Sequence, residues 1–507
     1  MNHLIVAPVL LPALIAAIAL LGMRRTLLIG RAISVSAAGA LVAIAGALLA
    51  QASDGSITSY ALGGWQAPFG IVLVLDRLSA MMLLLVSVLA FLVLCYAVAT
   101  NLDRRGWHFH PLFHFQLLGL NGAFLTGDLF NLFVFFEVLL IASYGLMLHG
   151  QGPARLKAGV QYVIINLVGS TLFLVAIGIL YGLTGTLNFA DMAVRVAALP
   201  DGDQGLLRAG ALILVAVFAL KAALLPLHLW LPRTYASTSP PVAALFAIMT
   251  KVGVYSIIRV VTLVFPAGAG AAAWAPAPWM LPAAMLTILI GFVGLVAARG
   301  LRDMAAFAIV GSTGTLLTAV ALFEQGAMTA ALYYLPHTTL AGACLFLVAD
   351  LIARRRPDYG DAIALGPRFS GIEGLSVLFM LTAIAVVGLP PLSGFVGKLL
   401  ILHAAIDHPA AAWVWAAILG TTFLGILGFA RAGSTIFWKS AQSDEPPRPA
   451  PAALRRVALY PPAAILALLA ALTVFAGPAT AYMEAASAQL FAPQTYIDAV
   501  LGPRQGG

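Results

Sequence analysis

Six titratable side chains stand where the surrounding sequence leaves them little water. They are Glu137 in DLFNLFVFFEVLLIASYGL, Lys221 and His228 in FALKAALLPLHLWLP, Lys251 in STSPPVAALFAIMTKVGVYSIIRV, His337 in AALYYLPHTTLAGACLFLVADLI and Lys398 in AVVGLPPLSGFVGKLLILHAA. Amines, an imidazole and a carboxyl group in apolar surroundings can take up and give up protons, because burial disfavours the charged form and a neighbouring charge moves the balance again. A lysine near the centre of a bilayer span costs roughly 3 kcal/mol on insertion scales, so each one needs a reason. Lys221 lies five residues before Pro226, which removes an intrahelical hydrogen bond and clashes with the preceding turn. Lys398 follows a second interruption, where Gly388, Pro390, Pro391 and Gly394 cannot all be ordinary helix. Broken helices at membrane depth are tolerated where the backbone lines a protein-enclosed or wet cavity. Plainer readings exist: a structural ion pair between Glu137 and a lysine of another helix, Lys221 reaching a carbonyl freed by Pro226, and His337 as a hydrogen-bonded structural imidazole. A buried ion pair is weak evidence for stability, which favours function.

The elements that must carry these groups follow from composition. The chain has 507 residues, 62% hydrophobic and 9% charged, whereas a soluble domain has about 25% charged residues. This is an all-α polytopic membrane protein, and spans of about 20 apolar residues fall at 3 to 22, 30 to 50, 73 to 98, 111 to 127, 128 to 149, 156 to 182, 206 to 231, 240 to 265, 280 to 297, 303 to 323, 327 to 352, 371 to 406, 412 to 438 and 455 to 477, fourteen in all. The first has no Ala-x-Ala cleavage site after it and is followed by Arg24 and Arg25, so it reads as a retained span.

Charge orients the spans. Of the 27 basic residues, 18 fall in loops on one side: Arg24, Arg25, Arg31, Arg104, Arg105, Arg155, Lys157, Arg233, Arg299, Arg302, Arg354, Arg355, Arg356, Arg368, Lys439, Arg448, Arg455 and Arg456. The opposite loops hold only Arg195, Arg208 and Arg504. By the positive-inside rule the first side is cytoplasmic and both termini face outward, so the net charge of +8 records orientation and not nucleic-acid binding. Arg77, Arg259 and Arg431 lie toward span ends, where snorkelling accounts for them; Lys221, Lys251 and Lys398 lie too deep for that.

Other chemistry is excluded. Cys95 and Cys344 are the only cysteines, so there is no CxxC, no cysteine-ligated iron–sulfur cluster and no haem attachment motif. The VGK at Lys398 is not a phosphate loop, since Leu392 stands where the first glycine belongs and no Ser or Thr follows. His108, His110 and His114 have no acid close in sequence and are not read as a metal site; no cofactor is expected. A weak echo, Tyr162 and Asn166 in QYVIINLVGSTLFLVAIGIL against Tyr333 and His337 in LYYLPHTTLAGACLFLVADL, together with the two interruptions, suggests two related halves.

Residues 107 to 420 resemble the core shared by the antiporter-like subunits of respiratory complex I and the large subunits of multisubunit Mrp-type cation/proton antiporters. The resemblance rests on FFEVLLIASYGL, ALKAALLPLHLWLPRTYASTSPPVAALFAIMTKVGVY and GLPPLSGFVGK; YALGGWQAPFGIVLVLDRLSAMMLLL, with Asp76, and GDLFNLFVFFEVLLIASYGLMLHG are most similar to the D-type Mrp subunits. It implies N-terminal helices in 1 to 106, inverted five-helix repeats in 107 to 265 and 266 to 440, each with a broken helix (the seventh and twelfth), and a last helix and tail in 441 to 507. It further implies that Glu137 and Lys221 form a coupled pair, that Lys251 and His337 relay protons along the midplane, and that Lys398 connects to the outer side, with His228, Pro226, Pro390 and Pro391 in support. The expected activity is exchange of Na⁺ or K⁺ for protons across a bacterial cytoplasmic membrane. The expected partners are Mrp subunits of the A, B, C, E, F and G types. A proton-pumping subunit of complex I or of a membrane-bound hydrogenase is the second reading, and a scaffold that carries no ions the third.

Overall fold

The computed structural model describes residues 3–22, 27–441 and 456–502; Arg24, Arg25, Arg448, Arg455 and Arg504 lie outside the described residues. The chain runs through α1 (Ala7–Gly22), α2 (Leu27–Ala52), a hairpin of β1 (Thr58–Ala61) and β2 (Val72–Leu75), α3 (Arg77–Ala99), α4 (Phe109–Leu125), α5 (Leu129–Leu148), α6 (Pro153–Thr184), a short amphipathic α7 (Phe189–Ala197) and α8 (Gln204–Lys221). After an irregular stretch come α9 (Trp230–Ser237), α10 (Pro240–Phe246), α11 (Met249–Arg259), α12 (Ala277–Ala297), α13 (Leu301–Val320), α14 (Gln325–Arg355), α15 (Ile372–Val387), α16 (Ser393–Ala404), α17 (Ala411–Gly433), α18 (Lys439–Ala441), α19 (Tyr460–Val474), α20 (Ala476–Leu490) and α21 (Pro493–Leu501).

Among the described residues, eleven helices are long and apolar enough to cross a membrane. The other three expected crossings fall on shorter elements: α1 of 16 residues, α4 of 17, and the interrupted pair α15 and α16, of 16 and 12 residues. Burial sorts the helices by position. The apolar window within Pro240–Val264 is wholly buried and that of α14 is 94% buried, against 33% for α2 and for Ala411–Trp438, so α10, α11 and α14 form the interior and α2 and α17 lie at the periphery.

The third span is shorter at its start than its hydropathy suggests. Val72–Leu75 pairs antiparallel with Thr58–Ala61, Val72 opposite Ala61 and Leu75 opposite Thr58, and the helix begins only at Arg77. Asp76 sets that boundary through a capping box: its Oδ1 accepts from Ser79 N at 2.8 Å, and Ser79 Oγ accepts from Asp76 N at 2.8 Å. Glycines set the distance between α4 and α5, where close approach replaces the missing hydrophobic drive between helices in lipid. A Cβ added at Gly119 would lie 2.6 Å from Leu139 Cβ, and one at Gly122 would collide with the Phe135 ring. This crossing fixes the angle at which α5 presents Glu137.

Arg259 does not snorkel. It is 4% exposed and donates to both carboxylate oxygens of Asp76, at 2.5 and 3.0 Å, with Tyr255 Oη 3.1 Å away. The desolvated guanidinium has an internal partner because the hairpin carries Asp76 to the C-terminal end of α11, a juxtaposition that depth in the sequence does not reveal. Arg431 is exposed and donates to Ala298 O at 2.6 Å.

Candidate functional site

Both expected helix breaks occur. The first half of the seventh span ends at Lys221 and helix resumes at Trp230, with Pro226 exposed in between. The freed backbone is satisfied by neighbours, as an irregular segment at this depth requires: Trp230 Nε1 donates to Leu220 O at 3.0 Å and Leu225 N donates to Thr287 Oγ1 on α12 at 2.9 Å. Lys221 therefore leaves the freed carbonyl alone and turns toward α6. In the twelfth span the helix stops at Val387 and restarts at Ser393, with Pro390 and Pro391 exposed.

Glu137 and Lys221 do not touch. Lys221, 5% exposed, donates from Nζ to Asn166 Oδ1 at 2.9 Å, while half-buried Glu137 accepts through Oε1 from Ser170 Oγ. Asn166 and Ser170 are one turn apart on the inward face of α6, so one helix holds both charges by separate hydrogen bonds. Glu137 remains near enough to act on Lys221 through its field. Asn166 is itself oriented by donating from Nδ2 to Tyr162 O at 2.8 Å, and Tyr162 Oη meets Ser143 Oγ at 2.8 Å. Reasoning from the titratable residues missed Asn166 and Ser170, although Tyr162, Asn166 and Ser170 recur every four residues in an otherwise apolar helix. That polar stripe was the available signal.

Lys251 is fully buried, with Nζ 3.5 Å from Thr313 Oγ1, which in turn lies 3.3 Å from Thr250 Oγ1. His337 on α14 reaches into the second break, where Nδ1 is 2.9 Å from Ser393 Oγ, and the fields of Lys251 and Lys398 both reach it. A cavity of about 10 Å³, roughly one water in size, is bounded by Ser312, Tyr334, His337 and Thr338. Ser312 neighbours the threonine that holds Lys251, and Thr338 Oγ1 has no partner among the described residues. Lys398 donates to Val387 O at 2.8 Å and Thr422 Oγ1 at 2.7 Å and lies 5.4 Å from the Phe292 ring centre. At this lysine, not at Lys221, the ammonium does bond a carbonyl released by a helix break. His228 is buried in the first break, and its Nδ1 has no partner among the described residues.

The histidines at the start of α4 are held separately. His110 Nε2 lies 3.2 Å from Asp103 Oδ2, the same carboxylate that Arg31 grips at 2.6 Å, and His114 Nε2 is 2.7 Å from Ser34 Oγ. Burial alone would raise Asp103, but His110 and Arg31 together bring it below the ordinary carboxylate range.

A bundle with two interrupted helices and a buried row of three lysines and a histidine defines a class of ion-translocating membrane subunit. Residues 126–425 match the model described as "NADH:quinone oxidoreductase/Mrp antiporter, TM", and the chain belongs to that family. It is 40% identical to the D-type subunit of a probable K⁺/H⁺ antiporter of Rhizobium meliloti, covering 100% of this chain and 99% of that one. It is 34% identical to the D-type subunit of the Na⁺/H⁺ antiporter of Bacillus subtilis, covering 99% and 100%. Among solved structures it resembles a chain of the Mrp complex of Dietzia, at 30% identity and a TM-score of 0.85 over 99% of this chain and 100% of that one. A chain of Thermus thermophilus respiratory complex I aligns at 26% identity and a TM-score of 0.78, over 96% and 99%. The chain is thus a multi-pass membrane protein of the antiporter group, and it shares its fold with that respiratory chain.

Proposed function

We propose that this chain is the proton-translocating subunit of a multisubunit antiporter of a bacterial cytoplasmic membrane, which exports Na⁺ or K⁺ in exchange for protons under the proton motive force. The observation that carries the reading is the buried sequence Lys221, Lys251, His337, Lys398, each with a neutral hydrogen-bond partner and none with a direct carboxylate among the described residues. A lysine held by an amide or hydroxyl can be charged or neutral at modest cost, whereas one locked to a carboxylate cannot. Two unit charges 4 Å apart at an effective dielectric of about 20 interact by roughly 4 kcal/mol, enough for one protonation to drive off the next.

In this scheme Lys221 takes a proton while Asn166 holds it off Glu137, and closing or opening the Glu137–Lys221 distance sets when the proton moves on. Lys251 receives it, His337 passes it across the small polar cavity, and Lys398 delivers it toward the outer side. Residues 107 to 265 and 266 to 440 serve as the two repeats, with both termini outside. The bias of arginines and lysines toward alternate loops of the sequence supports this orientation, and the two helix breaks support the two repeats. Partners are the other subunits of such an antiporter, and the role is transport, with no bond-making reaction of its own.

The test is Glu137→Ala and Lys221→Ala in everted membrane vesicles carrying the whole complex, following dissipation of a pH gradient on adding Na⁺ or K⁺. Loss of the response with normal assembly is expected. Full antiport in both variants would overturn the assignment, and copurification with an iron–sulfur peripheral arm would move the chain to a respiratory complex.

A further inference from the structure

A pocket of about 660 Å³ opens between the ends of α4, α5 and α6 on the side that the charge distribution makes cytoplasmic. Its rim is cationic. Arg105 and His108 are exposed there, and Arg105 makes no ion pair among the described residues. Arg155 lies behind it, its guanidinium committed to His149 O and Ser237 O. The nearest acid, Asp103, is 2% exposed and already occupied by Arg31 and His110.

The floor is built from the turn into α6. That helix of 32 residues starts with Gly152 as N-cap and Pro153 in its first turn, and no side chain caps it. Free N–H groups and the helix dipole at such an end favour an anion. A second observation bears on the same ligand: His149 is 8% exposed and lines the pocket, its Nε2 lies 3.4 Å from Gly106 O, and its Nδ1 has no hydrogen-bond partner among the described residues, so the protonated ring has one N–H left to donate. One wall is apolar, formed by Leu112, Leu148 and Leu156, the last 58% exposed, and Trp107 beside the pocket is 69% exposed, as aromatic residues at the headgroup level are.

We infer that this pocket binds an anionic phospholipid, its phosphate between Arg105, His149 and the start of α6 and its chains along the leucine wall. A free phosphate would use the rim and leave the wall uncovered, so the amphipathic lining selects the lipid. Bound there, the lipid ties together the cytoplasmic ends of the helices that carry Glu137, Asn166 and Ser170.

The intact complex, delipidated in mild detergent, is titrated with phosphatidylglycerol and, separately, phosphatidylcholine of the same chains, and bound lipids are counted by native mass spectrometry. The wild type is expected to hold one phosphatidylglycerol about fivefold more tightly than Arg105→Gln, the equivalent of about 1 kcal/mol for one basic residue near an anionic headgroup. Leu156→Glu should weaken it as well, while inorganic phosphate should not displace it. Equal binding by wild type and Arg105→Gln, equal binding of phosphatidylcholine, displacement by inorganic phosphate, or loss of another subunit from Arg105→Gln with the lipid count unchanged would each overturn the inference.

Discussion

The hydrogen bond from Lys221 to Asn166 offers two opposite perturbations at one position. Asn166→Leu keeps the volume but removes the acceptor 2.9 Å from Nζ, leaving a 5% exposed ammonium without its partner. A hydrogen bond to a charged group contributes about 1.5–3 kcal/mol, so the protonated lysine should become roughly ten- to a hundredfold less favourable relative to the neutral amine. Asn166→Asp does the reverse. A carboxylate charge about 4 Å from the ammonium binds it by roughly 4 kcal/mol at an effective dielectric of about 20, close to a thousandfold, and traps the proton. Cation-driven loss of a pH gradient in everted vesicles, measured across pH, should fall in both variants, with Asn166→Leu recovering toward acid and Asn166→Asp toward alkali. Wild-type rates and pH profiles in both, with the complex assembled, would refute the idea that α6 meters the charge on Lys221.

Gly394→Ala should abolish antiport and lower the melting temperature of the purified complex, because its Cβ would lie 2.6 Å from His337 Nε2 and 2.7 Å from Ala385 O; overpacking of this kind costs about 1–3 kcal/mol. Asp76→Asn should reduce stability more than the double change Asp76→Asn with Arg259→Gln, since removing one partner of a buried pair costs about 3–5 kcal/mol and a neutral replacement of both often costs little; thermal unfolding followed by gel filtration compares them. Thr422→Val should slow antiport without disrupting assembly, as it removes one of the two acceptors of the Lys398 ammonium. Burial first, and then the Arg155 and Arg105 charges, hold His149 below its ordinary range against the pull of Gly106 O and Asp103. A phosphate at the rim favours the protonated ring, so phosphatidylglycerol affinity should rise as pH falls toward and below the ordinary histidine range, and His149→Gln should flatten that rise.

Length, hydropathy and charge asymmetry determined from the sequence alone that this is a helical membrane protein with two interrupted helices. They also located the groups able to move protons, because a charge in lipid is costly enough to stand out and a proline in a span breaks it wherever it falls. The structure decided what each charge meets. That Lys221 bonds Asn166 and not Glu137, that Lys398 takes the carbonyl of Val387, and that Arg259 is gripped by Asp76 across 183 residues depend on how helices distant in sequence cross. The hairpin that delivers Asp76 looks like the start of a span in hydropathy, since Val72–Leu75 is apolar in either conformation and pairing with Thr58–Ala61 makes it a strand. Depth in a membrane is a property of one helix and can be read along the chain, whereas a partner is a property of two surfaces and exists only after they pack.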